Sequence, residues 1–353
     1  MAGGRGERLW PQSCLQRPKH LLPIVEDKPL LTETIKRLGG LIGPDNIFVI
    51  TNQQQYTATL AACTELPTEN VIAEPIGRDT AAAVGLATIL VKQKDPDGIF
   101  TVLPADHVIH DVDHFKAVIN AAFEAAQDES LVTIGIKPTA PATGYGYIHK
   151  GEVLNTCERL SVYKVERFVE KPDLATAQKY LDSGEYYWNA GMFVWGVKAI
   201  EAAFSSYTPE VYGSLQTIEK SLQEGISLET VLKEEYPKIK KISIDYAIME
   251  HAQNVVTLEA SFDWDDIGEW PAVMRHNKKD NSGNVTRGEV VVESCKDSLV
   301  INEDDHLIAL LGVEDLVVVK TPDATLICPK DRAQDIKTLV KTISDNPKYT
   351  NLL

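Results

Sequence analysis

Short runs of β-branched residues alternate with helix-like patterns from the amino terminus to Trp270. This alternation is typical of a doubly wound, mainly parallel sheet, because each strand is followed by a helix that crosses back over the sheet. Strands are predicted at 47–51, 99–103, 131–136, 164–169, 192–195 and 255–258. Helices are predicted at 30–38, 53–63, 80–92, 113–127, 174–183 and 244–251.

The pattern changes after Asn277. Residues 277–288 are polar and contain glycine, without apolar periodicity, which indicates a linker or a long turn. Short strands are then predicted at 289–293, 299–302, 307–311, 316–320 and 325–328, and a helix at 332–344. We therefore predict two domains, a large α/β domain over 1–278 and a small β-rich domain over 279–353.

Charge and cysteine content narrow the partners and the compartment. The 353 residues include 35 Lys and Arg against 51 Asp and Glu, a net charge of −16. This balance argues against nucleic acid or an anionic membrane as the main partner. Five scattered cysteines without a metal-ligand spacing suit a reducing compartment, so we expect a cytoplasmic protein. The longest apolar run, 81–91, is too short to span a bilayer.

The chain opens with a glycine loop (residues 3–8) that contains Gly3, Gly4, Gly6 and Arg8. Glycines let a backbone approach a phosphate closely and turn its N–H groups toward the oxygens. Arg8 offers a planar fork for phosphate oxygens, and Lys19, farther along, offers a compact positive charge. An ordinary turn with a surface arginine is the alternative interpretation.

Two aspartates are candidates for a metal site. Asp106 follows the apolar run 99–103, and a carboxylate beyond the end of a parallel strand lies where such sheets bind ligands. With Asp266 it could hold Mg²⁺, substrate phosphates and water filling the other positions. A helix N-cap is the alternative role for Asp106. We expect Asp263 and Asp265 to be solvated turn residues and His107 to be structural.

Residues 74–80, here called the base motif, contain Glu74, Arg78 and Thr80 ahead of an alanine-rich helix. A carboxylate such as Glu74 can accept hydrogen bonds from the N1–H and N2–H₂ edge of guanine. The alternative is a plain strand-to-helix turn in which Asp79 caps the helix and Arg78 lies on the surface.

Three further segments suit a sugar phosphate. Gly146 lies within a glycine-interrupted aromatic run, Glu170 precedes Lys171, and Asn189 lies two residues before Gly191. A carboxylate can bind vicinal hydroxyls and an ammonium can bind a phosphate. Tyr145 and Tyr147 could instead be core residues, and the role of Asp245 is left open.

Taken in order, these segments resemble the motifs of sugar nucleotidyltransferases, and specifically the mannose-1-phosphate guanylyltransferases. The family's G-G-x-G-x-R-L-x-P and P-K motifs match 3–11 and 18–19, and E-P-x-x-R-N-T matches 74–80 with Asp79 in place of Asn. L-P-x-D, G-Y-G-Y, F-x-E-K-P, N-x-G-M and W-x-D-x-G follow at 103–106, 144–147, 168–172, 189–192 and 264–268.

The resemblance implies a Rossmann-like, doubly wound mixed sheet and a role for each matched residue. Arg8, Lys19 and Lys171 would be catalytic, and Asp106 and Asp266 would hold Mg²⁺. Nucleotide binding would fall to Gly3, Gly4, Gly6, Glu74, Arg78 and Thr80, and sugar binding to Gly146, Glu170 and Asn189.

The implied reaction transfers GMP from GTP to α-D-mannose 1-phosphate, giving GDP-mannose and pyrophosphate by Mg²⁺-assisted in-line attack. Since the second pKa of a phosphate monoester is about 6, no general base is required. A different sugar or base, such as a heptose phosphate, is one alternative, and a catalytically silent regulatory subunit that binds sugar nucleotide is another. The oligomeric state stays open, with a homodimer among the expected assemblies.

The resemblance also sets two expectations about the ends of the chain. The family's glycine loop normally follows an apolar central strand, whereas only Met1 and Ala2 precede the glycines here. We expect the natural protein to carry a short β-branched extension upstream. We also expect no phosphomannose isomerase activity, since the chain has no room for the additional isomerase domain of the bifunctional relatives.

Overall fold

The structure is a computed structural model that describes residues 1–25 and 27–353. The strands of the large domain are β1 (Val49–Asn52), β2 (Val71–Glu74), β3 (Ile99–Val102), β4 (Leu131–Ile136), β5 (Tyr147–Cys157), β6 (Leu160–Val169), β7 (Tyr186–Gly196) and β8 (Val255–Glu259). Its helices are α1 (Leu30–Arg37), α2 (Tyr56–Ala62), α3 (Asp79–Lys94), α4 (Val112–Ala125), α5 (Leu174–Ser183), α6 (Val197–Tyr207), α7 (Pro209–Gln223), α8 (Leu228–Glu235) and α9 (Trp270–Arg275). Within the described residues, no helix combines the length and apolarity that crossing a membrane requires.

The main sheet has the strand order β3-β7-β4-β8-β6-β5. Strands β4 and β8 are parallel, whereas the other neighbouring pairs are antiparallel. The prediction of a mainly parallel sheet was therefore wrong, and the mixed sheet implied by the resemblance is confirmed. The antiparallel pairs involve β7, which runs opposite to β3 and β4, and β6, which runs opposite to β8 and forms a hairpin with residues 147–157. The hairpin turns at Glu158 and Arg159, whose φ angles of 47° and 72° match a turn that joins antiparallel strands.

Apolar side chains alternate across this sheet and create a core on each face. On β7, Phe193 and Trp195 belong to one core, while Met192 and Val194 belong to the other. Helices α3, α6, α7 and α8 cover the first face, and α4 covers the second. The predicted helix at 244–251 is a short π-helix, Asp245–Met249, which is a helix type often found at functional sites.

A groove separates the two-stranded parallel sheet β1–β2 from β3. Among the described residues, β1 pairs with β2 and β3 with β7, so each strand pairs along only one edge. Ala2 forms a parallel bridge with Thr51, and the amino group of Met1 donates to the Leu103 carbonyl at 2.8 Å. The rest of the groove, about 500 Å³ in volume, has a largely apolar lining. Residues 1 and 2 thus contact both sides of the groove, since Met1 also accepts from the Ala105 amide at 3.0 Å.

The small domain coils in parallel turns. Its strands are β9 (Val285–Arg287), β10 (Val290–Glu293), β11 (Leu299–Asn302), β12 (Ile308–Leu311), β13 (Leu316–Lys320) and β14 (Thr325–Pro329), followed by α10 (Ile336–Ser344). Strand β11 pairs in parallel with β9 and β13, and β10 pairs in parallel with β12, whereas β14 closes the stack in the antiparallel direction. The core of this domain also contains Leu9, Trp10 and Trp270. The glycine loop is thus followed by residues that join the two domains.

A fused strand tests whether the groove between β1 and β3 can accept an additional β-strand. We expect a variant with five β-branched residues fused before Met1 to unfold at a temperature about 3–10 °C higher, because the new strand pairs with both edges and buries apolar surface. The fusion also replaces a buried ammonium, whose pKa burial lowers to about 6, by an amide. A Gly/Ser extension of the same length is the control, and equal melting temperatures for the two variants would contradict the assignment.

Candidate active site

One cleft of about 450 Å³ collects residues from distant parts of the large domain. Nine of the predicted site residues line it: Gly3, Gly4, Glu74, Thr80, Asp106, Gly146, Glu170, Asn189 and Asp266. Glu74 is the last residue of β2, and Asp106 follows β3, so the cleft lies beyond the carboxyl ends of these strands. Ligands of open α/β sheets bind at such positions.

The ammonium of Lys19 joins two of these segments, although the Lys19 side chain is buried and does not line the cleft. Its Nζ lies 2.7 Å from Asp106 Oδ2 and also donates to the backbone carbonyl of Asp266. The residue is 7% exposed, so its charge depends on these partners for neutralisation. A Cβ on Gly6, whose φ is +70°, would lie 2.4 Å from Lys19 Cβ. Only glycine at position 6 therefore lets the loop close over Lys19.

The other predicted residues lie at the margin of the cleft or outside its lining. Lys171 has a φ of 47°, and its Nζ pairs with Glu170 Oε1 at 2.5 Å. Glu170 lines the cleft, so Lys171 lies next to the cleft without lining it. The guanidinium of Arg78 turns away and donates to the Pro237 carbonyl. Arg8 is half-buried in the short 3₁₀ turn Glu7–Leu9, outside the cleft lining. The catalytic roles of Arg8 and Lys171 remain predictions.

Asp106 and Asp266 present oxygen ligands from two sides of the cleft. The helix after Asp106 starts at Val112 and is capped by Asp111, so Asp106 does not serve as its N-cap. Burial alone would raise the pKa of Asp106, but the Lys19 ammonium, helped by His107, holds that pKa well below its ordinary value. Asp106 is therefore a carboxylate at neutral pH, as a magnesium ligand must be.

The loop that carries Asp266 is held in an unusual conformation. The Oδ1 atom of Asp266 accepts hydrogen bonds from the Tyr145 hydroxyl at 2.7 Å and from the Gly268 amide at 3.1 Å. Ile267 is fully buried with a φ of 45°, a left-handed conformation that is rare for a β-branched side chain. Backbone strain of this kind concentrates at functional sites, where the surroundings hold it in place.

The pair of aspartates suits a cation that shares its coordination with substrate. Within the described residues, no cluster of three or more His, Cys, Asp or Glu is arranged to hold a metal. Asp106 and Asp266 therefore would supply two carboxylates, and phosphate oxygens and water the remaining positions, an arrangement typical of Mg²⁺. Oxygen-only donors that line the nucleotide cleft fit this ion.

Glu74 is 7% exposed and lines the end of the cleft that we call the base end, after the role predicted for this residue. Burial raises its pKa to about 7, although the hydroxyl of Tyr236 donates to its Oε1 atom and opposes the rise. The other oxygen, Oε2, lies 3.5 Å from the position of a Cβ on Gly3, at the glycine loop. One carboxylate oxygen thus faces the cleft while the other is held by the protein.

Helix α3 begins at Asp79, which has a φ of 65° and whose side chain accepts from the Thr80 amide at 2.9 Å. Asp and Asn tolerate this left-handed conformation better than most residues, so Asp at this position is compatible with the motif. Asp79 is the first residue of the helix and Arg78 occupies the N-cap position without a side-chain cap, so the capping alternative for Asp79 is wrong, and Thr80 lines the cleft.

The part of the cleft that we call the sugar end, after the predicted role of its residues, combines two carboxylates and an amide. Asn189 donates to Asp245 Oδ1 at 2.9 Å and accepts from the Gly191 amide at 3.0 Å, so its amide orientation is fixed. Burial, and then the charge of Glu170, raise the pKa of Asp245 to about 6. A Cβ on Gly146 would lie 2.4 Å from Glu170 Oε2, so glycine leaves that oxygen accessible.

Several cleft residues have no role assigned from the sequence, although Tyr145 and Asp245 were considered there with their roles left open. Asp245, Tyr145 and Trp264 line the cleft, as does His20, which is 2% exposed and whose Nε2 has no hydrogen-bond partner within the described chain. Tyr145 and Trp264 lie within quoted motifs and His20 adjoins one, but only a contact between distant segments distinguishes such residues from core residues. Tyr147 is fully buried, as its core alternative required.

Two neighbouring expectations have different outcomes. Asp265 is not a solvated turn residue, because it is 8% exposed and accepts hydrogen bonds from Arg275 and His276 at 2.8 and 2.9 Å. His107 accepts from the Trp264 indole at 3.1 Å and burial lowers its pKa to about 4, but it also lines the cleft, so its structural role stays a prediction.

Comparison with known proteins agrees with this arrangement. Residues 1–283 match the family model "Nucleotidyl transferase", and residues 288–343 match "MannoseP isomerase/GMP-like beta-helix domain". A curated relative from Klebsiella pneumoniae, "Mannose-1-phosphate guanylyltransferase", is 37% identical over 99% of this chain and 74% of its own length. A relative of the same name from Escherichia coli K12 is also 37% identical, over 99% of this chain and 73% of its own length.

Among solved structures, a "mannose-1-phosphate geranyltransferase" from Thermus thermophilus superposes with a TM-score of 0.84. It is 36% identical, and the match covers 98% of both chains. The fold of this chain is thus that of a nucleotidyltransferase domain with a carboxyl-terminal β-helix, and the protein is an enzyme. The chain belongs to the nucleotidyl transferase family, within the group of the mannose-1-phosphate guanylyltransferases.

Proposed function

We propose that the protein transfers GMP from GTP to α-D-mannose 1-phosphate and releases GDP-mannose and pyrophosphate. The main support is the cleft itself, in which predicted nucleotide, sugar and metal ligands from remote segments meet above the buried ammonium of Lys19. Relatives named for this reaction, which match nearly the whole chain, support the same substrates.

The proposed chemistry is an in-line displacement at phosphorus. An oxygen of mannose 1-phosphate attacks the α-phosphorus of GTP, and the bond between the α-phosphorus and the bridging oxygen to the β-phosphate breaks. Pyrophosphate leaves with that electron pair. The nucleophile is largely ionised at neutral pH, its second pKa being about 6, so the protein contributes positioning and charge neutralisation rather than a base. The glycine loop, Lys19 and Lys171 supply these contributions.

We propose Mg²⁺ as the cofactor, held by Asp106 and Asp266. When bound, it neutralises charge on the nucleotide phosphates. Tyr145 orients the Asp266 carboxylate through its hydroxyl, and Lys19 keeps Asp106 ionised. These protein contacts preorganise the two ligands before substrate arrives.

Substrate selection is assigned to the two ends of the cleft. At the base end, the Glu74 carboxylate accepts from the guanine N1–H and N2–H₂ groups. At the sugar end, Glu170 and Asn189 bind mannose hydroxyls, and Gly146 provides the space beside Glu170. Lys171 lies next to Glu170 and would bind the 1-phosphate.

We also propose a homodimer that acts in the cytoplasm. The layer of β10 and β12 has a largely apolar outer face, which exposes Val291 by 54% and Leu311 by 75% beside Glu293. An exposed apolar layer of this kind suits a protein interface, and two copies could bury it mutually. The five free cysteines suit a reducing compartment.

The first test follows pyrophosphate release with a panel of sugar phosphates and nucleoside triphosphates. We expect turnover with GTP, mannose 1-phosphate and Mg²⁺, and loss of turnover when Mg²⁺ is removed. Asp106→Asn and Asp266→Asn should each lower kcat at least about 100-fold, because a metal ligand is weakened, while circular dichroism stays unchanged.

Asp263→Asn is the control for these variants, since Asp263 is a half-exposed residue that accepts backbone hydrogen bonds outside the cleft. Near-normal turnover of the Asp106→Asn/Asp266→Asn double variant would refute the metal assignment. Preference for another sugar phosphate or base would redirect the proposal to a related nucleotidyltransferase.

The second test concerns closure of the glycine loop over Lys19. Gly6→Ala forces a Cβ into contact with Lys19 at a positive φ, so we expect the free energy of unfolding in urea to fall by about 2 kcal/mol. Displacement of Lys19 should also reduce kcat about 100-fold. Gly4→Ala, where a Cβ meets nothing within 4 Å, is the stability control and should change unfolding by less than about 0.5 kcal/mol. Equal stabilities of the two variants would contradict the packing argument.

The third test concerns assembly and uses sedimentation velocity. Leu311→Glu places a charge on the proposed interface, so we expect the dimer to dissociate while the fold of each chain persists. Leu174→Glu changes a leucine that is 62% exposed on α5 and should leave the dimer intact. A wild-type protein that sediments as a single chain, or a Leu311→Glu variant that stays dimeric, would refute this interface.

A further inference from the structure

One segment, Tyr236 to Asp245, packs behind the base end of the cleft. The hydroxyl of Tyr236 donates to Glu74 Oε1, and both side chains are buried, with Tyr236 fully inaccessible. Tyr236 comes directly after helix α8 and belongs to the core under α3, α6 and α7. Its hydroxyl therefore reaches the base end from a rigid part of the molecule.

The same segment holds the rest of the base motif. The Pro237 carbonyl accepts from Arg78, and the Ile242 carbonyl accepts from the Ala81 amide at 3.2 Å. The Ile244 amide donates to Thr80 Oγ1 at 2.8 Å. The segment Tyr236–Asp245 thus forms hydrogen bonds with the strand end, the turn and the first helical residues of the base motif.

The Tyr236 hydroxyl occupies one acceptor position of the Glu74 carboxylate and leaves its other acceptor positions for a ligand. Its Oε1 atom accepts from Tyr236, so Oε2, on the side of Gly3, is the oxygen turned toward a ligand. Without the hydroxyl, the carboxylate could rotate or take up a proton at a buried position. A neutral carboxyl group no longer offers acceptors to both N1–H and N2–H₂ of guanine.

We propose that Tyr236 is a positioning residue for base recognition, which fixes the orientation and the charged form of Glu74 through its hydroxyl. The inference rests on the proposed function, in which Glu74 binds guanine. Tyr236 itself does not line the cleft, so it acts on the base only through Glu74.

The charges around Glu74 predict how the binding of guanine by Glu74 depends on pH. Burial raises the pKa of Glu74 to about 7, the Tyr236 hydroxyl and the Met1 amino group lower it, and Asp79 raises it. Glu74 therefore gains its negative charge as the pH rises through about 7. Binding of guanine should strengthen over the same range, and removal of the Tyr236 hydroxyl should move that range to higher pH.

The experiment compares Tyr236→Phe with the unmodified protein, using GTP and ITP as matched nucleotides. ITP lacks the N2 amino group, so the ratio of their kcat/KM values reports the contact with Glu74. Phenylalanine keeps the buried ring and removes only the hydroxyl. Dissociation constants for both nucleotides, measured by calorimetry without the sugar phosphate, give the same ratio independently of turnover.

Tyr187→Phe is the matched control. The Tyr187 hydroxyl donates to Glu259 at 2.7 Å, and Tyr187 is 2% exposed, so this change also removes a buried hydroxyl from a carboxylate. Neither Tyr187 nor Glu259 lines the cleft. This control distinguishes the effect of losing any buried hydroxyl–carboxylate hydrogen bond from the effect of losing the one between Tyr236 and Glu74.

For Tyr236→Phe we expect the preference for GTP over ITP to fall about tenfold, since a charge-assisted contact is lost. The KM for GTP should rise, while kcat and the KM for mannose 1-phosphate should stay within about twofold. The pH at which GTP binding strengthens should increase. Tyr187→Phe should keep the GTP preference and the pH dependence of the unmodified protein.

Equal losses for GTP and ITP, or an unchanged preference and pH dependence, would show that Tyr236 is only structural and would overturn the inference. Failure of the proposed function has a different result, because the unmodified protein would then release no pyrophosphate from GTP and mannose 1-phosphate. In that case the calorimetric ratio for Tyr236→Phe still decides whether Tyr236 governs base preference.

Discussion

The buried ammonium of Lys19 is the interaction on which the arrangement of the site depends. A buried charge is costly unless paired, and Lys19 is neutralised by Asp106 and by the Asp266 carbonyl, from segments far apart in the chain. The glycine loop reaches this ammonium only because Gly6 has no Cβ. One ion pair therefore fixes the distance between the loop that would hold phosphates and the aspartates that would hold the metal.

The small domain supports the same loop from the other side. Leu9 and Trp10 pack into the core of the β-helix, the Trp10 indole donates to the Leu352 carbonyl at 2.9 Å, and the Trp270 indole donates to the Trp10 carbonyl at 3.1 Å. A glycine-rich loop is flexible in isolation. Because it is held by Lys19 at one end and by this shared core at the other, the β-helix contributes to the geometry of the cleft without lining it.

Local signals determined what could be predicted from the sequence. Helix 174–183 was located correctly because Asp173 caps its start and Gly184, with a φ of 68°, ends it. Strands 131–136, 299–302 and 316–320 have β-branched cores with clear boundaries. The hairpin strand β5 was missed because residues 152–156 are exposed and show no alternation of buried and exposed positions. Helices α6 to α8 were missed because their apolar residues can be recognised as a buried face only once they pack in the same core as α3. At the site, motif residues were found, whereas Tyr236 and Asp265 depend on contacts between distant segments.

Charge accounts for why carboxylates dominate a cleft proposed to take two anions. The chain carries a net charge of −16, and the positive charge of Lys19 is already offset by Asp106. Lys171 is likewise paired with Glu170, so the lysines at the cleft leave little net positive charge for phosphates. Under the proposed function, a divalent cation that accompanies the nucleotide would supply the remaining neutralisation, with Asp106 and Asp266 as its ligands. An acidic protein can thus bind phosphates, since its carboxylates attract the cation and the cation attracts the phosphates.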